Sequence, residues 1–113
     1  MQNKDYQYVM NDTKWNEIWL AMSSFPTTLQ WRTKDIETAY ISTWDSEWFY
    51  HFMIEGYKCI EWLEIKTETE IIKNEVLEIL KSIHVPGKIF EDKIRVYGYV
   101  EVGTSVDYLW LLY

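Results

Sequence analysis

The sequence predicts an α+β fold, an antiparallel sheet of five to six strands with two helices on one face. Two apolar stripes at helical spacing predict the helices, and runs rich in aromatic and β-branched residues, between and after them, predict the strands. With 113 residues, 48% of them hydrophobic and only four Gly and two Pro, the chain can bury one core, so 1–113 is read as a single domain.

Trp15, Ile18, Trp19 and Met22 recur on one helical face. Asn11 or Asp12 caps its start; if Asn11 is the cap, Met10 is placed to pack on Trp15 as a staple. Phe25-Pro26 ends it, giving a helix over 12–24. Four strands follow, over 29–34, 40–44, 48–54 and 58–65. Asp45-Ser46-Glu47 and Glu55-Gly56-Tyr57 are breaks of hairpin length, so the strands are expected to form a meander. Thr67 and Glu70 then have capping-box spacing, and Ile72, Val76, Ile79, Leu80 and Ile83 make the second apolar stripe. His84-Val85-Pro86-Gly87 stops that helix, because Pro86 cannot donate to the ladder and disfavours helix at Val85.

Residues 94–102 alternate, with Ile94, Val96, Val100 and Val102 on a core face and Arg95, Tyr97, Tyr99 and Glu101 on the other. The tail ends in Tyr108-Leu109-Trp110-Leu111-Leu112-Tyr113. It is too apolar to leave in water, and is read as a last strand or short helix buried internally or across a homodimer interface.

The net charge of −7 is unevenly placed. Between Asp35 and Glu78 eleven carboxylates face three lysines, while the remainder of the chain sums to +1. Such a field repels phosphate backbones and speeds encounter with cationic partners, so nucleic acid is not expected and a basic protein is. The start of the chain lacks a secretion signal, so the mature protein is expected to begin at or near Met1. No apolar run approaches the roughly 20 residues that span a bilayer. One cysteine, Cys59, cannot form an internal disulfide, which points to the cytoplasm.

Candidate chemistry is sparse. Cys59 with His51 and His84 is the conceivable nucleophile and base set, but its spacing matches no signature, and a small thiol in an apolar strand is ordinarily inert. Zinc-type close pairs are lacking, as are phosphate-cradling glycine loops, so no metal and no cofactor are expected. Glu61 and Glu64 are three apart in a strand and point to opposite faces.

The remaining constellation is aromatic and acidic: Trp44, Asp45, Glu47, Trp48, Tyr50, Glu55, Tyr57 and Glu61. Trp and Tyr carry interface energy, and carboxylates beside them select a cationic partner, so these eight are the expected partner-binding residues. At least half of the rings in this region are expected to fill the core instead, Trp62 and Phe52 foremost.

Through Trp31-Arg32-Thr33-Lys34, Trp44-Asp45-Ser46-Glu47-Trp48-Phe49-Tyr50-His51-Phe52 and Gly56-Tyr57-Lys58-Cys59-Ile60-Glu61-Trp62-Leu63-Glu64-Ile65, the chain resembles a family of small uncharacterised bacterial proteins. In size and acidity it is also similar to the immunity proteins that accompany contact-dependent growth inhibition toxins. That likeness implies an inhibitor, not an enzyme, that binds and neutralises a cognate toxin domain such as a nuclease. The alternatives are a small enzyme using His51 with Glu47, Glu61 or Cys59, and a self-associating structural domain.

Overall fold

The computed structural model describes residues 5–48, 52 and 56–109. Strand β1 (Tyr6–Tyr8) precedes helix α1 (Asp12–Ser23), which is followed by β2 (Trp31–Asp35) and β3 (Ile60–Lys66). Helix α2 (Glu70–Ile83) then leads to β4 (Gly87–Ile89), β5 (Lys93–Tyr97) and β6 (Tyr99–Glu101). The α+β class and strand number agree with the sequence reading, but the six strands form two antiparallel sheets, β2-β3-β5-β4 and β1-β6.

Helix α1 starts as the residues predict. Asn11 is the cap, its side chain accepting from the Lys14 N–H at 2.8 Å, and both Met10 and Trp15 lie in the core. Helix α2 starts two residues later than the Thr67 box implies. The Thr67 N–H is already bonded to the Asp92 carbonyl at 2.9 Å, which keeps the chain extended, so Thr69 becomes the cap and accepts from Ile72. His84 closes α2 in the left-handed conformation (φ 63°), and its carbonyl accepts from Lys14 Nζ, tying the two helices together.

The expected meander does not form. β2 pairs directly with β3, and residues 40–45 run beside β2 making isolated bridges only, Lys34 with Ile41 and Trp31 with Asp45. The Ser42 hydroxyl accepts from the Thr33 N–H, replacing a backbone acceptor and interrupting a regular ladder. Of the strand expected over 48–54, residues 49–51 and 53–55 lie outside the described residues, as does the tail beyond Leu109; Trp48 is in no strand and Leu109 is buried.

The run 94–102 is broken at Gly98, where β5 leaves the larger sheet and β6 joins β1. Gly98 donates to the Glu61 carbonyl at 2.7 Å and accepts from Val9 at 2.9 Å, so one residue bridges the two sheets. After this break Val102 is exposed, contrary to its expected place in the core.

The inner face of the larger sheet carries Trp31, Leu63, Ile65, Ile94 and Val96. These pack in one core with Trp15, Ile18 and Met22 of α1 and Val76, Leu80 and Ile83 of α2. The opposite face is lined by cationic and aromatic side chains.

Candidate functional site

Of the eight residues expected to bind a partner, Trp48 and Tyr57 are core residues. The Trp48 ring lies 5.6 Å from Trp31 and 5.2 Å from Phe52, and its Nε1 donates to the Leu29 carbonyl. The Tyr57 ring stacks 6.0 Å from Trp15, and its hydroxyl donates to Asn16 Oδ1 at 2.6 Å. Aromatic rings are the largest apolar payload available to a small domain, so packing claims them first.

Asp45 and Glu47 form a structured turn in which Asp45 Oδ1 accepts from the Glu47 N–H and the Glu47 carbonyl accepts from Trp31 Nε1. Trp44 lies on the outer sheet face, beside Arg32 and Lys66. Tyr50, Glu55 and His51 lie outside the described residues. Glu61 reaches Lys34 at 3.5 Å, near the end of β2 opposite the Glu47 turn, so Glu47 and Glu61 do not share a site. His84 caps α2, whereas Cys59 precedes β3 and its carbonyl accepts from Ile36. Trp62 is buried as expected, though on the outer face beneath Arg95 rather than in the main core. Among the described residues no group of three His, Cys, Asp or Glu side chains is placed to hold a metal.

Phenol rings and carboxylates do meet elsewhere, in a cleft of about 440 Å³ between the two sheets. The strand alternation that put Tyr97, Tyr99 and Glu101 on one face is visible here, since all three line the cleft on either side of the Gly98 break. Tyr6, which pairs with Glu101 across the small sheet, adds a third ring. Glu61 enters from β3 and Asp107 from the segment after β6, with Lys88 as the cation on the rim. A turn at Gly103 (φ 92°) folds that segment back, and the Asp107 carbonyl accepts from the Gly87 N–H at 3.0 Å. Asp107 is remote in sequence from the aromatic run, and no local signal marks it. Tyr6 belongs to a three-residue strand too short to show a period.

The rings are held. Tyr99 donates to the Lys58 carbonyl at 2.6 Å and packs against Tyr8 with centroids 4.8 Å apart. Burial, with smaller contributions from Cys59 and Glu37, raises the Tyr99 phenol above its ordinary value of 10.0. Tyr8 and Tyr57 are raised as well, chiefly by burial. A fixed neutral phenol presents an electron-rich face to a cation, and nearby carboxylates reinforce it. The cleft therefore has the chemistry to accept an ammonium or guanidinium group.

The raised phenols set the stability at high pH. Below about pH 10 folded and unfolded chains both keep these protons, so stability does not change on their account. Above it the unfolded phenols ionise while the folded ones resist, so the unfolded state gains. Urea midpoints should hold up to about pH 10 and fall as the pH rises beyond it. The fall should shrink in Tyr57→Phe, where one resisting phenol is gone; an unchanged pH response in that variant would contradict the assignment.

The sequence model of a family of unknown function (DUF6678) matches residues 1–103. No curated protein and no solved structure matches the chain.

Proposed function

The chain belongs to the DUF6678 family, and since that membership brings no activity with it, we propose from its own surface that it is an inhibitor of the immunity type. It acts in the cytoplasm by binding a basic toxin domain, without chemistry of its own. The observation that carries this reading is the cleft, where Tyr6, Tyr97 and Tyr99 share about 440 Å³ with Glu61, Glu101 and Asp107. Three rings and three carboxylates, of which Glu61 already meets Lys34 and leaves Glu101 and Asp107 against the rim Lys88, favour a lysine or arginine side chain of the partner as occupant. The long-range field favours the same partner, because the chain as a whole carries −7.

The partner-binding residues are thus reassigned from the buried Trp48 and Tyr57 to the cleft, with Glu61 common to both sets. The test uses the protein encoded beside this one. The pair should co-elute, and cells carrying this protein should survive expression of the neighbour. Glu101→Lys with Asp107→Lys, both at exposed positions, should slow association at least about tenfold at low salt and leave thermal unfolding unchanged. Unprotected cells together with a pair that elutes separately would overturn the reading.

A further inference from the structure

The outer face of the larger sheet collects charge of the opposite sign. Register places Arg32 and Lys34 of β2, Lys66 of β3, Lys93 and Arg95 of β5, and Lys88 of β4 on this one face. The carboxylates that meet these cations are Glu64 and, at the margins, Glu61 on Lys34 and Asp92 on Lys93, which leaves five cations and fifteen carboxylates for the rest of the chain. Gathering six cations on a small sheet costs self-repulsion that buried Glu64, with Glu61 and Asp92 at the edges, only partly offsets.

Glu64 has no solvent exposure and sits between two guanidiniums. Arg32 Nε donates to Oε1 at 2.8 Å, and Arg95 Nε and Nη2 donate to Oε2 at 2.9 and 2.6 Å. Both arginine side chains keep exposure, 30% for Arg32 and 25% for Arg95. The lower part of the face is braced by rings: Trp44 lies 4.6 Å from Arg32 and 5.1 Å from Lys66, and Phe90 lies 4.9 Å from Lys93. Cations held this way have already lost much of their rotamer freedom, so a ligand that meets them pays less to order them.

We propose that this face is a second binding surface, adjoining the cleft at Lys88 and Tyr97 and centred on Arg32, Lys66, Lys93 and Arg95, and that its occupant is an acidic polypeptide segment of a partner protein. Charge complementarity sets the sign of the ligand. Ring geometry decides between a peptide and a nucleic acid. Single-stranded nucleic acid binds sheet faces by stacking bases on free aromatic rings, whereas Trp44, Trp62 and Phe90 are engaged by the protein's own cations and Tyr97, with Arg95 6.0 Å from its ring, turns to the cleft. The fifteen carboxylates elsewhere would also repel a polyanion long enough to leave the face. Side chains of Asp and Glu need only the exposed cation heads.

The probe is a capped deca-glutamate peptide, titrated calorimetrically with the intact protein at low salt, with amide shifts mapping the contact. Binding should map to β2, β3 and β5 and weaken at least about tenfold when salt is raised from about 50 to 300 mM. Lys66→Gln with Lys93→Gln, the register pair at the end of the face away from the cleft and next along it from Glu64 and Arg95, should weaken it at least about tenfold while the far-ultraviolet spectrum and melting temperature hold. Glu101→Lys with Asp107→Lys, which adds positive charge beside Lys88, should not weaken peptide binding while it slows capture of the basic partner, so this surface and the cleft succeed or fail separately. No binding of the peptide, shifts confined to another face, or tighter binding of a deca-thymidylate would each overturn the proposal. So would concentration-dependent self-association abolished by the lysine changes, which would make a second copy the occupant.

Discussion

Arg95→Ala should lower the unfolding free energy by about 3 kcal/mol, the range found when one partner of a buried charge pair is removed. Glu64 is wholly buried, and Arg95 supplies both hydrogen bonds to its Oε2. After truncation the carboxylate keeps Arg32 on Oε1 and loses the partner of its other oxygen. The same change strips the guanidinium from the Trp62 ring, 4.5 Å away, and from Phe90, so packing is lost along with charge. Against a total stability of about 5–15 kcal/mol for a domain of this kind, the loss is large. Glu64→Gln added to Arg95→Ala should recover part of it, because the orphaned group then carries no charge. Urea unfolding of the two variants checks both statements, and an Arg95→Ala loss below about 1 kcal/mol would mean water solvates Glu64 without cost.

Gly98→Ala should cost about 2–3 kcal/mol through overpacking. A Cβ at this position would collide with the Ile60 carbonyl oxygen and stand 3.2 Å from the Trp15 ring. A backbone carbonyl inside a strand and a fully buried indole cannot step aside as a surface side chain does. Residue conformation is not the cause, since the positive-φ glycines are Gly56 and Gly103. Gly103→Ala is therefore the contrast: nothing lies within 4 Å of its added methyl, and its cost is that of a left-handed backbone alone, about 1 kcal/mol. In Gly98→Ala the amides of Val9 and Gly98's successor strand should exchange faster, because the Val9 bond to the Gly98 carbonyl joins the two sheets. Equal losses in the two glycine variants would remove close approach as the reason for glycine at 98.

Because Gly98 sets the angle between β5 and β6, this substitution should also disturb the cleft that Tyr97 and Tyr99 line from its two sides. Arg95→Ala instead acts on the outer sheet face. The two variants thus perturb the two proposed binding surfaces by separate routes.

Much of the local structure was written in the chain. Apolar spacing located both helices, Asn11 was a usable cap, and the alternation through Arg95, Tyr97, Tyr99 and Glu101 put cleft residues on one side. These features depend on a residue and its near neighbours, whose relative directions follow from the helical and strand periods. Tertiary structure decided the rest. It chose Thr69 over Thr67 because Asp92, arriving from a distant turn, had taken the Thr67 amide. It buried Trp48 and Tyr57, since alternation tells which residues share a face and not which element covers that face. It also decided the sign of the outer sheet face. Summed along the chain, residues 35–78 are strongly acidic, yet antiparallel register brings cations from four strands side by side and sends most carboxylates elsewhere. Charge adds up in space through 1/r, and distances between strands are fixed by pairing that no local window of sequence contains.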